Sequence, residues 1–335
     1  MTLTYRGVDY DTGTRYVAGY DSRPDWSQDV LRTQVATIRD GLRCNAVTVF
    51  GSDVARLRRA TEVALAAGLH VWVQPRLPDA SGDETADHLA AVAGEVEPLR
   101  AAGGSVRLNV GCELSIFTRG ILPGAGFERR ATRLRWAWPV LLPVAHRRLD
   151  RLLARLATVA RDRIGGEVTY GSGSWESVDW RRFDAVGINH YRDAHNRRTH
   201  AAALAATVCR HAGTPVLVTE FGCTTFAGAG SHGAEGDAVV DWRAAGGPRI
   251  RGRQRRDEAG QARYLGEMLD VFDRAGVAGA FVFEYSEPFY PRSDDAVVDL
   301  DLGSFGLVAV RRDGDRYTDE PKQAFRAIAD RFGRA

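Results

Sequence analysis

The feature that most constrains this chain is an alternation repeated about eight times: a short apolar run ends in polar residues, and a longer segment of helical period follows. Parallel strands need a long crossover, usually a helix, so repeated βα units point to a parallel sheet covered by helices. Strands are expected at residues 6–11, 45–50, 70–74, 105–113, 167–171, 185–190, 215–220 and 277–285, with helices at 25–41, 53–68, 83–102, 149–164, 200–212, 257–275 and 321–332. Two intervals are long. Residues 114–147 after strand four and 221–256 after strand seven read as elaborated loops.

Eight such units predict a closed (β/α)8 TIM barrel, and no low-complexity linker divides the chain, so residues 1–335 are expected to form one domain. A doubly wound open sheet would want a glycine-rich phosphate turn after its first strand. Asp9-Tyr10-Asp11-Thr12-Gly13 does not supply one.

Composition narrows the partners. The start MTLTYRGVDYDTG lacks the basic and apolar regions of a secretory signal, and the apolar stretch 136–145 is too short to span a bilayer, so a cytoplasmic location and no membrane partner are expected. Four cysteines without C-x-x-C spacing fit reduced thiols. Lys322 is the only lysine among 45 basic residues, but 43 acidic residues nearly balance them, which argues against a nucleic-acid surface.

In such a barrel the reacting groups sit at the C-terminal ends of the strands. Strand four, Val106-Arg107-Leu108-Asn109-Val110-Gly111-Cys112-Glu113, and strand seven, Pro215-Val216-Leu217-Val218-Thr219-Glu220, both stop on a glutamate. A carboxylate there is costly unless paired or used. Two opposed carboxyls suit glycoside cleavage, one protonating the leaving oxygen and the other attacking the sugar carbon.

At these motifs the chain resembles the retaining glycoside hydrolases of the (β/α)8 superfamily called clan A. Thr219-Glu220-Phe221-Gly222 is similar to that family's nucleophile strand, His190-Tyr191 to its tyrosine position, and Asp301-Leu302-Gly303-Ser304-Phe305-Gly306-Leu307-Val308 with Pro321-Lys322 to its tail. The resemblance implies Glu220 as nucleophile, Glu113 as acid/base, and a tyrosine hydroxyl that keeps the nucleophile ionised. It also implies a β-glycosidic substrate, a short oligosaccharide or a glycosylated small molecule in the absence of a binding module, and no cofactor. The family usually places Asn before the acid/base, where it contacts the sugar 2-hydroxyl; here Cys112 stands there. The usual Trp of strand eight is also absent, with Phe283 and Tyr285 in its place.

Asp9, Asp11, Gln74, Arg76, Trp175, Asn189, His190, Tyr191, Glu284 and Tyr285 fall near predicted strand ends and are expected to contact substrate, as is Glu176. Without a His-x-His after strand one, no metal is expected, and Cys112 and Cys223 read as buried apolar residues. Arginines 129, 130, 133 and 135, and 249, 251, 253, 255 and 256, are read as solvated surface or as site-lining cations. Trp136 and Trp138 read as a lid or a packed loop. Two other functions use the same residues: a catalytically silent sugar-binding barrel, favoured by Cys112, and a barrel isomerase using the carboxylates for proton transfer.

Overall fold

The computed structural model describes residues 3–16 and 19–334, and of 135–140 the backbone only. The side chains of Arg135, Trp136 and Trp138 therefore lie outside the described residues. Eight parallel strands form the barrel: β1 (Tyr5–Asp11), β2 (Ala46–Gly51), β3 (His70–Pro75), β4 (Val106–Cys112), β5 (Val168–Gly171), β6 (Val186–Asn189), β7 (Val216–Phe221) and β8 (Gly279–Val282). Each neighbours the next in chain order, β8 lies beside β1, and the ring closes between β5 and β6 through the Ser172–Ile188 bridge.

Alternation along the strands layers the interior. Tyr5, Ala46, Trp72, Ala185, Leu217 and Phe281 make a small apolar plug at one end. Further along the strands the buried residues turn polar, with Asp9, Thr48, Asn109, Thr169 and Thr219 beneath the mouth. The strands' outer faces, rich in Val and Leu, pack against the helices in one continuous core.

Helices α1 (Gln28–Ala36), α2 (Val54–Ala66), α3 (Gly82–Ala101), α4 (Leu114–Phe117), α5 (Phe127–Arg161), α6 (His200–Arg210), α7 (Glu258–Ala275) and α8 (Gln323–Phe332) complete the units. Between β5 and β6 the connection holds only the 3-10 turn Trp180–Arg182.

The segment after strand four corrects the loop expectation. α5 runs for 35 residues and takes in much of that supposed loop, continuing through Pro143. A proline inside a helix costs about 3 kcal/mol. Leu149, Leu152, Leu153 and Leu156 recur at helical spacing and are all buried. At roughly 1.5–3 kcal/mol each they outweigh that loss.

Arg130 fixes the start of α5 and is fully buried. Its guanidinium donates to the carbonyls of Ile116 (2.5 Å), Gly124 (3.1 Å) and Phe117 (3.2 Å) and pairs with Asp79. It is an anchor rather than a site-lining cation, and Arg129 and Arg133 are exposed.

The 222–257 connection is long as expected, and it carries short 3-10 turns and a two-residue ladder, Val240–Asp241 with Arg249–Ile250. Arg249, Arg251, Arg253 and Arg255 are exposed. Arg256 instead bonds Asp299 (2.6 Å) and Asp301 (2.5 Å), and Asp301 also pairs with buried Lys322 at 2.8 Å. These charges tie the loop to the tail, which continues as the hairpin β9 (Val308–Asp313) and β10 (Arg316–Pro321) before α8 packs on α7.

All four cysteines are free thiols. Among the described residues no helix is long and apolar enough to cross a membrane.

Candidate active site

Glu113 follows the last residue of β4 and Glu220 lies in the last turn of β7, so the barrel brings both to the same mouth. A register shift between Asn109 and Cys112 on β4, and another where β6 meets β7, break strict alternation and aim both glutamates inward. Glu113 also adopts a left-handed backbone, φ 44°, ψ 44°. That conformation costs a non-glycine residue roughly 1–2 kcal/mol and clusters at functional sites. The amide of Glu113 donates to Gly171 (2.9 Å), and its carbonyl accepts from Ile116 (2.9 Å), which holds the turn in place.

One side-chain amide joins the carboxyls. Asn189 Nδ2, at the end of β6, donates to Glu113 Oε1 at 2.9 Å and to Glu220 Oε2 at 3.3 Å. Those two oxygens are therefore no farther apart than these two bonds laid end to end, which is less than the roughly 6.5–9.5 Å of an inverting pair. The same nitrogen lies 3.2 Å from Cys112 Sγ, and Thr219 Oγ1 donates to Asn189 Oδ1 at 2.8 Å, which fixes the orientation of the amide.

Glu220 collects donors. Arg76 Nη2 reaches its Oε1 at 2.6 Å, the Cys112 thiol the same oxygen at 3.2 Å, and the Tyr191 hydroxyl its Oε2 at 3.4 Å. Arg76 is itself held by the oxygen of Gln74 (3.0 Å to Nε) and Tyr16 (3.0 Å), and it stacks 4.2 Å over Phe50. Burial, reinforced by the charge of Glu220, pushes the Cys112 thiol well up, so it stands as a protonated donor.

Glu113 has the opposite environment: burial first, then the neighbouring Glu220 charge, push its carboxyl up to about 8. At neutral pH this favours the protonated form of the Glu113 carboxyl.

The remaining expected residues divide. Gln74, Arg76, Asn189 and Tyr191 gather at the pair as described. Asp9 is buried below it, and desolvation followed by the Glu220 charge raises its pKa well above the ordinary range. Asp11 accepts from the Gly13 amide (2.9 Å), shaping the first loop, and Arg23 donates to its carbonyl (3.0 Å). Glu284 is buried near Asp11, Arg23 and Arg76, raised by burial and by Glu287. Trp175 donates to Ser115 Oγ (2.9 Å), while Glu176 accepts from Tyr170 (2.7 Å) and the Ser115 amide (3.0 Å), so both brace the loops after β4 and β5.

Two expected contacts do not reach the mouth. His190 stacks on His200 at 3.8 Å, and its Nε2–H donates to the His200 carbonyl at 3.1 Å, toward α6. Tyr285 is buried against Tyr10 on the outside of β1, because β8 ends at Val282 and the chain beyond Phe283 no longer alternates as a strand. Phe283 is the strand-eight aromatic that faces Phe50 (6.0 Å) and Phe305 (5.7 Å). Sequence reasoning missed Tyr16 and Thr219; the inward parity of Thr219 on strand seven was the available signal. Among the described residues no cluster of His, Cys, Asp and Glu is arranged to hold a metal ion.

No family model and no curated protein matches the sequence. Solved structures match in fold. A GH113 β-1,4-mannanase aligns with TM-score 0.64 and 14% identity over 99% of this chain and all of its own. A GH113 β-mannanase from Alicyclobacillus acidocaldarius aligns at 0.62 and 16%, over 99% and 98%, and a family 1 β-glucosidase from Thermotoga maritima at 0.58 and 10%, over 98% and 97%. The chain has the fold of the clan A glycoside hydrolases. The chain spans nearly the whole length of each of these structures.

The buried acids also set a pH dependence of stability. Asp9, Glu113, Glu284 and Glu287 (the last at about 7, chiefly by burial) keep protons in the folded state that the unfolded chain gives up near pH 4. The folded state then binds more protons, so stability is greatest below that pH for these groups and falls as pH rises through about 7 to 8. Calorimetry should find Tm dropping between pH 5 and 8.5, with a shallower drop in Asp9→Asn. A Tm that climbs across this window would contradict the assignment.

Proposed function

We propose that this chain hydrolyses a β-glycosidic bond in a short oligosaccharide or glycosylated small molecule by double displacement with retention. The observation that carries the reading is the Asn189 amide shared by Glu113 and Glu220, whose two hydrogen bonds hold the acceptor oxygens closer together than the roughly 6.5–9.5 Å of an inverting pair and so support retention. Glu220, surrounded by Arg76, Cys112 and Tyr191, attacks the anomeric carbon. Glu113 passes its proton to the departing glycosidic oxygen, and a glycosyl ester on Glu220 results. Glu113, now ionised, takes a proton from water as that water attacks the same carbon, which frees Glu220 and restores both groups.

Phe283, with Tyr191 and Phe305 nearby, offers apolar surface for a sugar face, and Asp9, Asp11 and Glu284 offer acceptors or donors for hydroxyls. The fold likeness to mannanase and β-glucosidase structures supports a carbohydrate substrate.

The test is a panel of aryl β-glycosides together with 2-deoxy-2-fluoro glycosides carrying good leaving groups. Turnover of one aryl glycoside, and a mass increase on the Glu220 peptide with the matching fluorosugar, are expected. Turnover with an adduct elsewhere would reassign the nucleophile. Neither turnover nor adduct across the panel would favour the silent sugar-binding barrel.

A further inference from the structure

Glu113 stands where a side chain is ordinarily spent on its own helix. It is the residue before the short helix α4, and a side-chain oxygen at that position usually accepts an amide of the first turn. The positive end of a helix draws a carboxylate in the same direction. A Glu113 carboxyl held in that way would not be free to serve a leaving group.

The structure shows no such bond. The four amides of α4 are all taken by other acceptors. Ile116 (2.9 Å) and Phe117 (3.2 Å) donate to the Glu113 carbonyl. Leu114 donates to the Tyr170 hydroxyl at 2.8 Å, and Ser115 donates to Glu176 Oε1 at 3.0 Å. With those amides occupied, Glu113 Oε1 accepts from Asn189 instead.

Tyr170 and Glu176 act as one unit. Tyr170 is fully buried on β5 and stacks on Phe183, with ring centroids 6.5 Å apart. Its hydroxyl donates to Glu176 Oε2 at 2.7 Å, and the Gly173 amide donates to the same oxygen at 3.1 Å. Burial pushes the Glu176 carboxyl up, and these donors hold it back. After burial and the charge of Glu220, the charge of Glu176 also raises the Glu113 carboxyl.

We propose that Tyr170 and Glu176 are positioning residues for the acid/base: by capping α4 from β5 and the loop after it, they release the Glu113 carboxyl to the barrel mouth. The inference rests on the hydrolytic reading, in which Glu113 protonates the leaving oxygen. Both residues act through Glu113 rather than on the substrate.

Tyr170→Phe and Glu176→Gln test it, each checked for folding by circular dichroism and compared on phenyl and 2,4-dinitrophenyl β-glycosides. In either variant kcat/KM should fall about ten- to a hundredfold for the phenyl substrate and about threefold or less for the dinitrophenyl substrate, because only the first needs a placed proton. In Glu176→Gln the alkaline limb for the phenyl substrate should also move to lower pH, since loss of a neighbouring negative charge lets Glu113 ionise sooner. If Tyr170→Phe does not fold, Glu176→Gln carries the test.

A readout without turnover separates this proposal from the hydrolytic one. In protein carrying isotopically labelled glutamate, the carboxyl carbon resonance that is missing from Glu113→Gln should titrate at lower pH in Glu176→Gln than in the wild type. A wild type that hydrolyses no glycoside would defeat the hydrolytic reading, and this titration would still decide whether Glu176 governs Glu113. Equal losses on both leaving groups would make the pair a general brace of the fold and overturn the proposal. So would a Glu113 titration that stays in place in Glu176→Gln.

Discussion

Glu113→Gln should lower kcat/KM by on the order of 10²–10⁴-fold for β-glycosides with poor leaving groups, such as phenyl or methyl, and by far less for 2,4-dinitrophenyl glycosides. Poor leaving groups depart as alkoxides or phenoxides unless protonated, so they need the acid; a dinitrophenolate leaves without it. Because kcat/KM reports the steps up to bond cleavage, slower hydrolysis of the glycosyl ester in the variant does not blur the comparison.

The pH profile adds a second reading. With its pKa pushed up to about 8 by burial and by Glu220, Glu113 should set the alkaline limb of kcat/KM in the wild type. For the dinitrophenyl substrate the Gln variant should lose that limb. Equal losses for both leaving groups, or an alkaline limb that persists in the variant, would remove Glu113 from the acid role.

Much of this site could be read from the chain because barrel geometry ties function to strand ends. Val216, Leu217 and Val218 must be buried, so a glutamate two residues later is conspicuous, and the same holds for Glu113 after Leu108 and Val110. What alternation could not supply was each strand's irregularity. The shift on β4 lets Asn109 and Cys112, three residues apart, both belong to the interior, and past the end of β8 at Val282 Tyr285 turns outward while Phe283 still faces in.

His190 misled for a related reason. Asn189 and Tyr191 both turn toward the pair, and His190 between them is left to pack on His200. The long helix α5 was hidden because local propensity around Pro139 and Pro143 argues for a loop, and only the buried leucines downstream reverse that judgement.

Asn189 carries the last prediction. A thiol at position 112 cannot present an amide to a sugar 2-hydroxyl, and on sequence grounds alone little discrimination against 2-deoxy glycosides follows. The structure changes that expectation. Asn109 is not available, since its oxygen is held by the amides of Gly111 (3.2 Å) and Gly171 (3.1 Å) and the residue is buried.

Asn189 Nδ2 lies 3.2 Å from the Cys112 sulfur and within bonding distance of both carboxyls. It is the amide nearest in role to the one displaced. The wild type should therefore keep a 2-deoxy penalty of several kcal/mol in transition-state stabilisation. Asn189→Ala should lose most of it, along with about 10²-fold in kcat/KM for the parent glycoside, because the carboxyls also lose their shared donor. Cys112→Asn in the Asn189→Ala background should restore part of the penalty. If the wild type treats a glycoside and its 2-deoxy analogue alike, no amide serves that hydroxyl. If Asn189→Ala lowers both substrates equally, Asn189 acts only by holding the two carboxyls.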